Sequence, residues 1–291
     1  MTDERAALAA RLVVGLAGGS LEPEERAWLR RWRPAGVILF SRNIHDGGQV
    51  QSLCAQLHSA GPGLEVVADH EGGPVSVLSS AIGRPPAAAT LGLLDDPDLT
   101  RRVHAESARA AAACGVDRLL APVADVLVNL RNPVIGVRSF GADALVVARH
   151  VAAAVTGLRE GGLRCCVKHW PGHGGTAGDS HLGEARDPGR PPAEPFAAGL
   201  AAGADAIMVA HVSTGTGADL PASLAASEDA VLQSLAAGRP LQLWADDLTM
   251  AVADCGTVAC DAEPVVARTA AAWRDLLGPE RDALASMVAD R

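Results

Sequence analysis

Two polar groups lie close together in the sequence and have the side-chain types needed for acid–base chemistry. Lys168, the only lysine, begins the run Lys168-His169-Trp170-Pro171-Gly172-His173. A compact ammonium donor at this one position suggests a specific ligand contact, since arginine supplies every other strongly basic side chain. Asp179 and His181 follow in a glycine-rich segment. A carboxylate beside an imidazole fixes its tautomer and raises its basicity, so His181 is a candidate general acid/base on a flexible lid. A surface loop in which this pair only clamps the backbone is the alternative.

A pair of aspartates, Asp246 and Asp247, follows an apolar run further along the chain. Neighbouring residues of a strand face opposite sides, so one of these carboxylates is expected to face inward. An inward carboxylate can attack an electrophilic carbon and form a covalent intermediate. The alternative role is that of a helix N-cap, and each aspartate can have one of the two roles.

A third polar group is Asp69-His70-Glu71-Gly72-Gly73. Asp69 can accept hydrogen bonds from ligand hydroxyls, and the glycines allow a ligand to approach closely. A capped turn is the equal alternative.

Metal and cofactor sites are not predicted. His169, His173, Asp179 and His181 have side chains that can bind metals. However, Pro171 and Gly172 would break a helix that brings His169 and His173 together. Lys168 would also repel a cation. The sequence contains neither a dinucleotide fingerprint nor a phosphate-binding GxxxxGK[ST] loop.

The elements that must position these side chains are short apolar runs that alternate with alanine-rich segments, a pattern typical of a parallel α/β fold. The runs are almost continuously apolar, as expected for strands buried on both faces. Polar residues, Asp69, Asp125 and Lys168 among them, follow the same end of each run, which favours a (β/α)8 barrel over a doubly wound sheet. The predicted strands are 36–40, 64–68, 118–122, 163–167, 206–210 and 240–244, with helices at 100–114 and 144–160.

Composition excludes several classes of partner. A net charge of −9 and an aromatic content of 3% without tyrosine argue against nucleic acid. Since no apolar run is long enough to span a bilayer and no secretory signal is recognised, we expect a cytoplasmic protein that does not enter membranes. The six cysteines show no paired spacing and are expected to be reduced. The 291 residues are expected to form a single barrel domain, 1–291.

Taken in order, these motifs resemble glycoside hydrolase family 3, in particular its bacterial β-N-acetylglucosaminidase (β-N-acetylhexosaminidase) branch. The resemblance covers roughly residues 8–250, and the lysine run together with Asp179-Ser180-His181 is specific to this branch. It implies a (β/α)8 barrel and a retaining hydrolase that removes terminal β-linked N-acetylglucosamine through a glycosyl-enzyme. The motifs that carry it lie at 36–43, 69–73, 121–126, 132–141, 168–173, 179–181, 210–212 and 246–250.

The resemblance also implies roles for individual residues. Asp246 matches the nucleophile, His181 the acid/base and Asp179 its partner. The groups that hold the sugar are matched by Asp69, Arg138, Lys168 and His169. The implied ligand is a small-molecule glycoside or a muropeptide-like sugar, with no cofactor.

A histidine acid/base departs from the two carboxylates of most glycosidases. Because neutral histidine carries no negative charge, phosphate can approach as the acceptor in place of water. A second hypothesis is therefore an enzyme with the same catalytic residues that is a phosphorylase or acts on another glycoside. A non-catalytic barrel that binds a sugar or a protein partner is the third hypothesis.

The chain departs from the family pattern in two places. Pro74 and Val77 stand where the family usually has arginine, so the exact substrate is left open. After Asp247, only 255–261 can supply the eighth strand, about ten residues from the preceding one and near the minimum for a parallel crossover. A degenerate or missing last strand is therefore expected, and the oligomeric state is not predicted.

Overall fold

A computed structural model describes residues 9–178, 185–186, 191–210, 212–213, 242–246 and 256–257. The strands are β1 (Val13–Gly15), β2 (Gly36–Leu39), β3 (Glu65–Ala68), β4 (His70–Gly72), β5 (Val75–Ser76), β6 (Arg118–Leu119), β7 (Arg164–Trp170), β8 (Ala185–Arg186), β9 (Ala206–Ala210), β10 (Val212–Ser213), β11 (Gln242–Asp246) and β12 (Gly256–Thr257). The helices are α1 (Pro23–Trp32), α2 (Gly47–Ala60), α3 (Ser79–Ile82), α4 (Ala88–Leu94), α5 (Pro97–Ala113), α6 (Ala144–Glu160) and α7 (Glu194–Ala201). Short 3-10 turns lie at Ser41–Asn43 and Gly136–Arg138.

One sheet organises the fold, with the strand order β1-β2-β3-β6-β7-β9-β11-β12. Every neighbouring pair from β1 to β11 is parallel. This confirms the predicted α/β class with the parallel strands of a (β/α)8 barrel. The strand β1 was not predicted, since three residues are too few to give a periodic apolar signal.

The two faces of the sheet carry separate apolar clusters, as a barrel requires. The larger cluster includes Val66, Leu119 and Cys165 together with apolar side chains of the helices. The smaller one draws side chains from successive strands and includes Val67 and Cys166. Cys165 and Cys166 therefore face opposite sides of β7, as neighbouring strand residues do. They are free and buried, as are Cys54 and Cys114, while Cys255 and Cys260 lie outside the described residues.

A buried ion network shows that the sheet is curled. Arg118 of β6 is fully buried and donates to Glu65 Oε1 at 2.6 Å and to Asp205 Oδ1 at 2.8 Å. Its Nη2 also donates to Gln242 Oε1 of β11 at 2.7 Å. Since β7 and β9 separate these two strands, and neighbouring strands lie about 4.8 Å apart, curvature must bring them together. The network lies at the amino ends of the strands.

Strand β7 is longer than predicted at its carboxyl end. It continues through Lys168 and His169 to Trp170, all buried. The apolar run ends at Val167 in the sequence because the next two residues are polar, yet the backbone stays extended where these side chains meet polar partners.

The last described strand differs from a regular barrel strand. Gly256–Thr257 pairs with Gln242–Leu243 in antiparallel orientation. Within 255–261, the two described residues therefore do not form a parallel eighth strand. This agrees with the short connection between β11 and this segment, which is near the minimum for a parallel crossover. Among the helices of the described residues, none has the length and apolar character to cross a bilayer.

Candidate active site

The four residues predicted to hold a sugar come together at the carboxyl ends of the strands. Asp69 directly follows β3, Lys168 and His169 lie near the end of β7, and Arg138 ends a 3-10 turn. In parallel barrels these strand ends form the face that carries active sites. Direct hydrogen bonds and ion pairs join these side chains into one network.

Lys168 is the buried cation at the centre of this network. Its side chain is 2% exposed, and Nζ lies 2.6 Å from both Asp69 Oδ1 and Glu71 Oε1. Burial lowers the pKa of Lys168, but the charges of Asp69 and Glu71 outweigh burial and raise it above its ordinary value. The ammonium group is therefore charged, and its direction is fixed by two carboxylates.

Glu71, which sequence reasoning did not single out, is the shared counterion of both cations. Arg138 Nε and Nη2 donate to its two oxygens at 2.8 Å each, in addition to the contact with Lys168. Burial raises the pKa of Glu71, but the charges of Lys168 and Arg138 lower it to about 2. The spacing of Asp69 and Glu71 was an available signal, because strand residues two apart share a face.

His70, between these two carboxylates, faces away from the network. Its Nδ1 accepts from the backbone N–H of Leu78 at 3.3 Å, and the residue is 2% exposed. Burial, and then the charge of His104, lower the pKa of His70 to about 4. Of the two interpretations of this turn, His70 therefore fits the structural one, whereas Asp69 belongs to the polar network.

Asp125 is the second residue of the site that sequence reasoning left without a role. It is fully buried and accepts from His169 Nδ1 at 2.7 Å and from the backbone N–H of His173 at 2.6 Å. Burial raises the pKa of Asp125, but its contact with His169 lowers it by more. Its contact with residues more than forty positions away gave no local sequence signal.

An irregular stretch of β7 lets two consecutive residues reach the same network. The pairing of β7 with β9 shifts register between Lys168 and Trp170. Strand irregularities of this kind redirect side chains. Lys168 therefore reaches Asp69, while His169 lies beside Asp125 and 3.3 Å from Arg138 Nη2.

The glycine-rich segment after β7 is more firmly packed than a flexible lid. A Cβ added to Gly174 would lie 2.0 Å from the carbonyl oxygen of Val126, so glycine here permits close backbone packing. The Asn132 amide donates to the carbonyl oxygens of His173 at 2.8 Å and of Thr176 at 2.9 Å. Residues 172–178 are therefore packed against neighbouring segments, while the part of the predicted lid that carries Asp179 and His181 lies outside the described residues.

The predicted catalytic residues are only partly described. Asp246 is the last residue of β11, and its backbone pairs with Ala210 of β9. Asp179, His181 and Asp247 lie outside the described residues. The catalytic roles of Asp179, His181 and Asp246 stay predictions.

The chemistry of the described network suits a neutral polar ligand. The network contains two cations, Lys168 and Arg138, which pair with Asp69 and Glu71, and a third carboxylate, Asp125, which bonds His169. Of these carboxylates Asp69 is the most accessible, with its side chain 25% exposed. Within 9–178 and the shorter described stretches, no group of three or more His, Cys, Asp or Glu side chains is arranged to hold a metal ion.

Comparison with known proteins identifies related sequences and folds. The family model described as the glycosyl hydrolase family 3 N-terminal domain matches residues 11–235. A Beta-hexosaminidase of Stenotrophomonas maltophilia (strain K279a) is 39% identical over 215 residues, which cover 69% of this chain and 63% of that protein. A Beta-hexosaminidase of Xylella fastidiosa (strain 9a5c) is 37% identical over 263 residues, or 85% of this chain and 78% of that protein.

The same relationship is visible in solved structures. NagZ from Neisseria gonorrhoeae matches with a TM-score of 0.79 and 30% identity, over 94% of this chain and 85% of that chain. The same protein in complex with N-trifluoroacetyl-D-glucosamine also matches with a TM-score of 0.79. Sequence and fold together show that the chain belongs to glycosyl hydrolase family 3, through its N-terminal domain.

Proposed function

We propose that this protein is a retaining β-N-acetylhexosaminidase that removes terminal β-linked N-acetylglucosamine. The observation that carries the proposal is the buried network of Lys168, Asp69, Glu71, Arg138 and His169 at the carboxyl ends of the strands, in a chain related to proteins named Beta-hexosaminidase. In this proposal Asp69, Arg138, Lys168 and His169 hold the sugar.

The charge of the network supports a neutral sugar as its ligand. Carboxylate oxygens accept hydrogen bonds from hydroxyl groups, and the ammonium and guanidinium groups donate to hydroxyl oxygens. Three carboxylates against two cations leave no excess positive charge to attract an anion. The Neisseria relative in complex with N-trifluoroacetyl-D-glucosamine is consistent with an N-acylated amino sugar in this pocket.

The proposed reaction has two steps. The carboxylate of Asp246 attacks the anomeric carbon while His181, held by Asp179, donates a proton to the departing glycosidic oxygen. Neutral His181 then takes a proton from water, the water oxygen bonds to the anomeric carbon, and the bond to Asp246 breaks.

The decisive experiment compares the wild type with Asp246→Asn on a chromogenic β-N-acetylglucosaminide. The variant keeps the shape of the side chain but removes its charge, and we expect kcat to fall by roughly 10⁴-fold or more, as for other catalytic groups. An N-acetylglucosaminyl fluoride with a second fluorine at C5 should lose its anomeric fluoride to Asp246 and leave an adduct that mass spectrometry detects. Equal turnover by both proteins would rule out Asp246 as the nucleophile.

The acceptor can be examined in the same assay. We expect the rate and the products to be the same with and without phosphate, because the described network offers no surplus positive charge. A sugar 1-phosphate among the products would instead identify a phosphorylase.

A further inference from the structure

Asp125 connects three separate chain segments that build the proposed sugar site. Its Oδ2 accepts from His169 Nδ1 at 2.7 Å and from His169 N at 3.3 Å, and its Oδ1 accepts from His173 N at 2.6 Å. Its backbone carbonyl accepts from Ser139 Oγ at 2.6 Å, directly beside Arg138. One fully buried residue therefore holds β7, the turn after it and the segment of Arg138.

These contacts determine which nitrogen of His169 carries the proton. An ionised carboxylate only accepts hydrogen bonds, so Nδ1 must be the donor. Arg138 Nη2, which can only donate, lies 3.3 Å from Nε2. The arrangement is satisfied when Nδ1 is protonated and Nε2 accepts, since a proton on Nε2 would place two donors against each other.

We propose that Asp125 is a positioning residue of this site, which holds His169 in the Nδ1–H tautomer and thereby lets His169 orient Arg138. The sugar ligand in this proposal rests on the proposed function, but the tautomer of His169 does not depend on it. The chain of contacts runs from Asp125 through His169 and Arg138 to Glu71 and Lys168. A change at Asp125 should therefore alter groups that it does not touch.

The variant Asp125→Asn provides a sharp test. The asparagine amide has one acceptor oxygen, whereas the carboxylate it replaces accepts from His169 on one oxygen and from His173 on the other. Two backbone donors, His173 N at 2.6 Å and His169 N at 3.3 Å, cannot become acceptors, and the shorter bond to His173 is the costlier one to lose. The imidazole, in contrast, can exchange its roles by moving a proton. We therefore expect the amide oxygen to stay with His173 and the amide nitrogen to face Nδ1, which forces the Nε2–H tautomer. The equivalent change beside the histidine of a serine protease is known to give the wrong tautomer.

Nitrogen-15 NMR of histidine-labelled protein reads the tautomer directly, with the signals assigned from a His169→Gln variant. We expect Nδ1–H in the wild type and Nε2–H in Asp125→Asn. The dissociation constant for N-acetylglucosamine, from calorimetry, should rise about tenfold, as is common when an orienting partner is lost. Glu65→Gln is the matched control, because this buried carboxylate bonds Arg118 at the other end of the strands. It should lower the melting temperature but change neither the tautomer nor the dissociation constant.

The outcomes separate this role from the proposed substrate. A wild-type His169 with Nε2–H or with two protons overturns the role, and so does an Asp125→Asn variant that keeps both its tautomer and its affinity. If the variant does not fold, the wild-type spectrum alone decides. If the wild type shows Nδ1–H, the variant switches and neither binds N-acetylglucosamine, the role of Asp125 stands and the proposed substrate is wrong.

Discussion

At the scale of single residues, the rarity of lysine was an informative signal. Lys168 is buried between two carboxylates, an environment that suits a compact ammonium group. Its partner Glu71 and the nearby Asp125 were not assigned from the sequence. Their roles depend on contacts with residues 67 and 44 positions away. The spacing of Glu71 from Asp69 was the one local signal, and Asp125 had none.

Replacing Glu71 tests the shared counterion. In Glu71→Gln, Lys168 and Arg138 lose a common negative charge in a buried site, so the free energy of unfolding should fall by about 3–5 kcal/mol. Urea denaturation measures this loss. The control is Glu106→Gln, which removes an exposed ion pair with Arg109 on α5 and should leave the denaturation midpoint unchanged. Equal effects of the two variants would contradict the buried charge balance.

Buried histidines predict loss of stability in acid. Burial, and then the charge of His104, lower the pKa of His70 to about 4 from an ordinary 6.5. Between these values the unfolded chain binds more protons than the folded one, so stability is full above pH 6.5 and declines as the pH falls towards 4. For His70 the loss is on the order of 3 kcal/mol. The lowered pKa of Glu71 adds a loss in the same direction at still lower pH.

His70→Asn isolates this contribution, because the amide oxygen can accept from the N–H of Leu78 in place of Nδ1 but does not titrate in this range. We expect a flatter dependence of the unfolding free energy on pH between 4 and 6.5, measured by denaturation in a pH series. An unchanged slope would show that His70 is not the group responsible.

At the scale of elements, apolar runs located most strands of the sheet. The bounds of β9 and α6 agree with the prediction residue by residue. The end of β7 could not be predicted, because polar side chains that face a barrel mouth interrupt the apolar run while the strand continues. The three residues of β1 were not predicted because the segment is too short for a periodic signal. The antiparallel pairing of β12 was not predicted either, since a degenerate or missing last strand was expected there.

The contact between α5 and α6 predicts a sensitive glycine. A Cβ at Gly157 of α6 would lie 2.1 Å from the carbonyl oxygen of Arg101 in α5. Gly157→Ala should therefore push these helices apart and cost about 1–3 kcal/mol of stability, despite alanine's better helix propensity. Thermal unfolding compares it with Gly18→Ala, where the added methyl group meets nothing within 4 Å. A melting temperature that falls equally in both variants would argue against close helix packing as the cause.

At the scale of the whole molecule, the Arg118 network ties distant strands together at the amino ends. Arg118→Met keeps an apolar side chain of similar length but removes the cation of Asp205 and leaves Glu65 with only the half-exposed Arg164. We expect a loss of about 3–5 kcal/mol in unfolding free energy, with the KM of the proposed activity unchanged for the folded protein. Arg149→Met, which removes an exposed pair with Asp95, is the control and should have little effect. A raised KM in Arg118→Met would instead link this network to the distant site.

The same network has a consequence for how a saccharide can enter. Arg118 and its partners form a floor beneath the inner cluster of Leu120, Cys166 and Met208. In the described strands, this charged layer and the apolar cluster above it separate the amino ends from the Lys168 network. Under the proposed function, a saccharide therefore enters and leaves on the side of Lys168.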